Sequence, residues 1–586
     1  MLLYGGNMKN RSDLDTIINV ASGRKIAEIC ITGAHILDVY NKEWFDADLL
    51  VSDGYICGFS EKGTGEAEHV IDAKGRYLLP GFIDGHVHIE SSHSTVAEFS
   101  NLVVPCGTTT VVADPHEICN VCGLSGLDYM LSSSENTPLQ AMFMVPSCVP
   151  ATVFEHSGAI LHAPEIASRL GNDRVLGLGE MMDYPGVISA SSMVLDKIWE
   201  AKLAGKIVDG HSPAIDGSDL DAYCSASIHT DHECENPDEL KQRIRRGMYV
   251  MLREGSACRN VLNLLGGVTQ ANSRRCIFCT DDRQPKTILE EGHINNNVRL
   301  SVQAGLDPIE AICMATINSC DCYHLTDRGA IAPGLRADFL LCDNLTDFSM
   351  HHVYVGGELV AVDGKILEPL RAAFDERVVG KMNVKDFTLG SLNLPLKSSH
   401  VRVIDIIPGG VVTNAGEANV KVEQGKWVHD PHQDIIKLAV VERHTGTGNV
   451  AVALLRGYGL KGGAVATSVA HDSHNIIVAG DNDEDMYQAV RHLMELGGGM
   501  VMVKHGQVLS DLPLPIAGLM SDLQGDTIAK SLDALHELAQ KELQVSKEVD
   551  PFMTLCFMSL PVIPSYKLTD MGLFDVRTFS FVPLEL

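Results

Sequence analysis

Eight short, β-rich apolar runs separated by longer helical stretches fill the middle of this chain, and they restrict the architectures open to it. The runs are Phe82 to His88, Thr108 to Asp114, Ala141 to Pro146, Val175 to Glu180, Ile207 to His211, Ser227 to Glu233, Tyr249 to Arg253 and Cys276 to Asp282. Such alternation is the signal for βα units and a parallel sheet. Eight units in about 250 residues match a (β/α)₈ barrel, with a doubly wound open sheet as the alternative. The run ends carry a second pattern. They close with His86-Val87-His88, Asp114-Pro115-His116, Glu180, Asp209-Gly210-His211, Asp231-His232-Glu233 and Asp281-Asp282. Barrel enzymes place their chemistry at the C-terminal ends of the strands, whereas random placement would scatter such residues along helices as well.

Both flanks of this region have another texture. From Ile29 to Tyr77, short apolar runs alternate with turns such as Ser52-Asp53-Gly54 and Ala73-Lys74-Gly75. The texture returns at Ala337 to Leu341 and Val353 to Glu358. One β-sandwich assembled from residues 1–80 plus 331–389, around a barrel spanning 81–330, is the simplest account. Residues 390–586, with apolar strands, glycine turns and an acidic helical stretch from Asp481 to Leu496, read as an additional C-terminal α/β domain. A chain of 586 residues is long enough for several such domains.

The net charge of −30 argues against a nucleic-acid or anionic-membrane partner and leaves a small neutral or cationic substrate open. No apolar run approaches the ~18 residues of a membrane span. Met1 to Asp15 lacks the basic and apolar segments of a secretory leader, and the 16 scattered cysteines read as reduced thiols, so a cytoplasmic location is expected. Cys119/Cys122 and Cys276/Cys279 are Cys-x-x-Cys pairs. The second lies in a strand, where positions three apart face opposite sides and cannot grip one metal without a bulge. Gly446-Thr447-Gly448 and Gly497-Gly498-Gly499 lack the Gly-Lys-Ser/Thr ending of a phosphate loop and read as turns.

In a strand, residues two apart share a face, so His86 and His88 can converge on one metal, and Asp84 can orient a ligand histidine. Neutral imidazole suits zinc, iron and manganese. His211 and His232 are candidates to complete the site, with packing histidines as the alternative. Asp281 can ligate a metal or accept a proton from water, while Asp282 faces away and supports the loop. Two cations a few ångström apart repel unless an anion lies between them, and Glu180, after Gly177-Leu178-Gly179, is the candidate bridge.

The segment Pro80-Gly81-Phe82-Ile83-Asp84-Gly85-His86-Val87-His88 resembles the first-strand signature of the amidohydrolase superfamily. The resemblance extends, over nearly the whole chain, to its adenine deaminases. It rests on His86 to Ser92, Asp114 to Glu117, Gly177 to Met181, Asp209 to Pro213, Asp231 to Glu233, Thr280 to Arg283 and the C-terminal Ala470-His471-Asp472-Ser473-His474-Asn475. It implies a binuclear divalent centre of Mn²⁺ or Fe²⁺, with Zn²⁺ as a further option, held by His86, His88, Glu180, His211, His232 and Asp281. Glu180 stands where many binuclear relatives carry a carboxylated lysine, which weakens readings as a dihydroorotase or hydantoinase. Position 214, where mononuclear nucleobase deaminases often carry a ring-protonating glutamate, is Ala214.

The resemblance implies hydrolysis of adenine to hypoxanthine and ammonia, with metal-activated hydroxide attacking C6. Asp281, Glu233 and His232 are the expected catalytic groups, Glu233 being the first candidate to protonate the ring and Glu90 and His116 the next. Glu90, Ser92, His116 and Asp282 are expected at the substrate. His471 and His474 either close over the site, bind a further metal, or are ordinary loop histidines. A homo-oligomer is expected. The rivals are another amidohydrolase, acting on a cyclic amide or a different aminopurine, and a catalytically silent metal-binding protein.

Overall fold

The computed structural model describes residues 11–372 and 375–586. Residues 1–10, which carried most of the expectation about a secretory leader, lie outside the described residues. The chain divides into two compact units, one of residues 11–114, 130–147 and 162–372, the other of 115–129, 148–161 and 375–586.

In the first unit, the two flanks build one sheet. Strands Ala27–Asp38, Glu43–Ser52, Tyr55–Ser60, Ala67–Asp72 and Tyr77–Pro80 join Phe339–Cys342, Met350–Val355, Glu358–Val362 and Lys365–Ile366. The seam is antiparallel, with Leu79 opposite Leu340 and Pro80 opposite Phe339. Where the texture suggested a sandwich, hydrogen bonds join all nine strands into a single sheet, because Tyr77–Pro80 pairs on one side with Ala27–Asp38 and on the other with Phe339–Cys342. Its apolar side chains, including Ile31, Ile36, Leu49, Leu78, Phe339 and Tyr354, form one buried cluster. The Asp53-Gly54 turn has positive φ at both residues (52° and 78°), the geometry that matches the twist of a tight hairpin.

The central runs form parallel strands β1 (Phe82–Val87), β2 (Thr108–Ala113), β3 (Gln140–Val145), β4 (Val175–Met181), β5 (Ile207–Gly210), β6 (Thr230–Asp231), β7 (Tyr249–Arg253) and β8 (Cys276–Cys279). β1 to β5 make one sheet and β6 to β8 another, each in chain order. The His229 N–H donates to the Val208 carbonyl at 2.8 Å, and the Asp281 N–H to the His86 carbonyl at 2.9 Å. These bonds tie the edges of the two sheets at both ends, so the parallel strands curl around a shared interior. Ile83, Val112, Met144, Met251 and Ile277 belong to one core cluster there. Strand β6 is shorter than the run Ser227 to Glu233. Ser227 takes φ +68° after the helix Gly217–Ser225, and the Asp231 carboxylate accepts the Ser212 and Glu233 N–H groups, bending the chain out of the strand.

The second unit differs from the expected α/β domain. Its main sheet has eight strands in the order Thr413–Asn419, His400–Ile406, Val450–Arg456, Ile435–Val441, Ile476–Gly480, Ala464–Thr467, Gly499–Lys504 and Gln507–Pro513. Only His400–Ile406 and Val450–Arg456 run parallel. A largely antiparallel sheet needs hairpins, not βαβ crossovers, and these supply the glycine turns seen in the sequence. The acidic stretch is a helix from Asp483 to Leu496, capped by the Asn482 side chain, which accepts the Asp485 N–H. Its Met486, Ala489, Val490 and Leu493 pack on Ala464, Val478 and Val501. Among the described residues no helix is long and apolar enough to cross a membrane. All 16 cysteines are free thiols, and burial pushes that of Cys276 up to about 12, far from a metal-binding thiolate.

Candidate metal centre

Six strand-end side chains meet in the interior of the first unit. His86 and His88 leave β1, Glu180 lies near the end of β4, His211 follows β5, His232 follows β6 and Asp281 lies two residues beyond β8. Glu180 sits between the imidazoles. Its Oε1 lies 3.3 Å from His88 Nε2 and 3.9 Å from His86 Nε2. Its Oε2 lies 2.9 Å from His211 Nδ1 and 3.3 Å from His232 Nε2. One carboxylate oxygen thus faces each pair of histidines. Burial alone would raise the Glu180 pKa, but hydrogen bonds from His211, His232 and His88 hold it well below its usual value.

Asp281 adopts φ +59°, and its Oδ1 lies 3.1 Å from His88 Nε2. Its Oδ2 accepts Arg253 Nη1 at 2.6 Å. The same Nη1 donates to Glu233 Oε1 at 2.5 Å, and that oxygen lies 3.2 Å from His232 Nε2. Burial opposes ionisation of both carboxyls, yet the Arg253 guanidinium together with the neighbouring histidines outweighs it and holds both far below the carboxylate range. Glu233 therefore rests as an anion, so the ring acid expected from the sequence must first collect a proton. His211 and Glu233 keep side-chain exposures of 23% and 15%, while His86 and Glu180 have 1% and 4%, so the cluster opens to solvent on the His211–Glu233 side.

The donor set fits cations. Burial, then the neighbouring His232 and His88, hold His86 neutral, and neither of its ring nitrogens has a hydrogen-bond partner among the described residues. A buried imidazole with both nitrogens unsatisfied is costly unless something binds it. His88 Nδ1 lies 2.8 Å from the Asp114 carbonyl, which can only accept, so Nδ1 carries a proton and Nε2, beside Glu180 and Asp281, is the ring nitrogen left for a cation to take in place of a proton. Imidazole and carboxylate together suit zinc, iron or manganese.

Asp84 was expected to orient a histidine ring. Its Oδ1 accepts the His86 and Thr280 N–H groups, while Oδ2 accepts the Thr280 hydroxyl and lies 3.3 Å from Nε2 of His293, so it braces the ends of β1 and β8 and faces the ring of His293, not that of an assigned ligand. Asp282 accepts the Ser91 hydroxyl at 2.5 Å, in keeping with a loop support more than a substrate contact. Ser92, placed at the substrate by the sequence, is fully buried with its hydroxyl 2.6 Å from both the Ile89 carbonyl and Ser94 Oγ, so it stabilises a turn. Glu90 is buried on that same turn, immediately after His88. Arg253 was missed, although it ends a β-rich run, which was the signal used for the other residues, and Asp114, noted at the end of its run, was given no role.

His116, His471 and His474 belong to the second unit. There His471 Nδ1 lies 2.7 Å from Glu117 Oε1, His116 Nε2 lies 3.4 Å from the same oxygen, and His474 Nε2 meets Glu117 Oε2. The Ala470 N–H donates to His474 Nδ1 at 3.1 Å, leaving the ring proton on Nε2, where it points at Glu117. Burial lowers His474 to about 4, so the ring is neutral in this tautomer and offers no lone pair at Nε2. Glu117, His471 and His474 thus form a buried hydrogen-bond cluster, and their ligand atoms also lie close enough together to hold a cation.

Residues 77–360 match the model of the amidohydrolase family, and residues 410–580 that of the adenine deaminase C-terminal domain. The chain is 51% identical over 577 residues to adenine deaminase 2 of Desulfotalea psychrophila, covering 98% of this chain and 100% of that one. The chain belongs to the adenine deaminase family. Similar relatives are the adenine deaminase of Nitratidesulfovibrio vulgaris, 50% identical with 98% of this chain and 99% of that one covered, and adenine deaminase 2 of Carboxydothermus hydrogenoformans, 48% identical with 97% and 99% covered. The amidohydrolase match takes in all eight parallel strands and the seam of the nine-stranded sheet. The adenine deaminase C-terminal match falls wholly within the second unit.

Proposed function

We infer that this chain hydrolyses adenine to hypoxanthine and ammonia at a pair of divalent cations held in the mouth of a (β/α)₈ barrel. One observation carries the reading: the Glu180 carboxylate turns one oxygen to His86 and His88 and the other to His211 and His232. A carboxylate so placed suits two cations that share an anion. Asp281, beside His88, would complete one half of the site. When bound, such cations supply Lewis acidity that draws the pKa of water from ~15.7 towards 7. Mn²⁺ and Fe²⁺ are the proposed ions.

The protein's own groups manage the protons. Water brings two, and the reaction needs one on ring N1 and one on the departing amine. Glu233 and Asp281 begin as anions beside Arg253, so both start as acceptors. Glu233 takes the first proton and delivers it to N1 as the C6–O bond forms, quenching charge on the ring. Asp281 takes the second and passes it to the exocyclic nitrogen, which leaves as ammonia while C6 becomes a carbonyl. No net proton is gained or lost.

Metal analysis and an adenine-dependent ammonia assay on one sample test this. Chelation should abolish turnover, and reloading with Mn²⁺ or Fe²⁺ should restore it at about two equivalents per chain. Ammonia released from a different aminopurine or a cyclic amide, with none from adenine, would overturn the assignment.

A further inference from the structure

We propose that Arg253 is a positioning residue that sets the spacing between the two proton-carrying carboxylates, Asp281 and Glu233. This rests on the functional reading above. A single nitrogen, Nη1, donates to Asp281 Oδ2 and to Glu233 Oε1, so the two groups are tethered to one point. Asp281 keeps Oδ1 beside His88, and the Glu233 oxygen held by the arginine also lies beside His232, so the clamp holds both carboxylates while they face the imidazoles.

The clamp is itself fixed. Arg253 is the last residue of β7 and is 4% exposed. Its N–H donates to Asn260 Oδ1 at 2.7 Å, and the Asn260 amide donates to the carbonyls of His232 (3.3 Å) and Cys234 (2.8 Å). Asn260 therefore ties the base of the arginine to the backbone on both sides of Glu233. On the opposite edge, Arg253 pairs with Cys279 of β8, two residues before Asp281. Both carboxylates and the guanidinium are thus referenced to the same stretch of β7. Without a cation between them, two neighbouring carboxylates would repel and part. Proton delivery to two atoms of one small ring tolerates little such movement, since a displacement of about 1 Å costs about 10²-fold.

Arg253→Lys and Arg253→Gly test the proposal, with kcat, KM and metal content measured on each. A lysine ammonium is a point charge on a flexible stem and does not reproduce a rigid guanidinium. Expected for R253K is a kcat about 10²-fold lower, KM for adenine within about threefold and metal content unchanged. Adding methylguanidinium to R253G should recover kcat by about tenfold or more, which a merely structural role would not allow. If R253G does not fold, R253K decides alone. A kcat in R253K within about twofold of the parent overturns the proposal, as does a loss of turnover matched by loss of metal. A parent that releases no ammonia from adenine overturns the functional reading, and this inference with it. Unchanged turnover in an active background overturns this inference alone.

Discussion

The carboxylate of Asp114 accepts the backbone N–H of Glu180 at 2.8 Å, and only a glycine at position 179 leaves room for it. A Cβ on Gly179 would stand 2.2 Å from Asp114 Oδ2. The Asp114 carbonyl also orients the His88 ring, so this one residue aims two of the groups assigned to the cations.

Gly179→Ala should therefore weaken metal retention without touching any assigned ligand. The expected loss is about 10–100-fold in metal affinity, the range for groups that orient ligands. Titrating Mn²⁺ into the chelated variant and its parent reads this directly. Equal affinities would show that the Asp114–Glu180 contact has no bearing on the centre.

Replacing Glu180 with Gln keeps the shape and removes the negative charge between the two histidine pairs. Metal analysis should then find about one cation per chain in place of about two, with turnover lost. Full occupancy in Glu180→Gln would rule out the bridging assignment.

Glu233→Gln separates proton delivery from metal binding. Metal content should stay at the parent level while kcat falls by ~10²–10⁴, the usual range for general acid–base groups. The variant's pre-formed amide cannot collect the proton that the Arg253-held carboxylate must acquire in each cycle. Undiminished turnover removes Glu233 from the mechanism.

Lys567 predicts a pH effect confined to the second unit. Its ammonium is buried and donates to the Val411 and Phe557 carbonyls at 2.8 Å, and burial lowers its pKa to about 7. Unfolding restores the ordinary value near 10.5. Between these limits the unfolded chain binds more protons, so stability rises with pH from about 7 to about 10 and is flat below 7. Thermal unfolding across that window should show the rise in the parent and a smaller one in Lys567→Met. Identical pH profiles would contradict it.

Much of the site was legible because strand geometry leaves a strong trace. His86 and His88, two apart at the end of an apolar run, have to share a face, and the other tip residues stood at the same end of their runs. Arg253 met that positional rule too, but a lone arginine reads as solvated, and its partners lie 20 and 28 residues away. Ser92 misled because its neighbours are ligand-type residues, whereas its hydroxyl is consumed by a contact three residues back. The protonation of Glu233 was unreadable in sequence, since it depends on a guanidinium that only the packed strands bring near. In the second unit, hairpins and crossovers leave similar apolar runs, so the direction of its strands was hidden until their pairing was known.

The second unit takes residues 115–129 and 148–161 from within the span that otherwise builds the first. No single scission of the polypeptide can therefore release either unit whole. A chain ending at residue 372 would keep both excursions, among them the buried Ile118, Val121, Tyr129, Val149 and Leu161, and lose the rest of their own unit. Gene fusions or truncations that treat the C-terminal half as a detachable module should yield sticky, aggregating products. During synthesis, those excursions must wait for some 200 further residues before their partners exist.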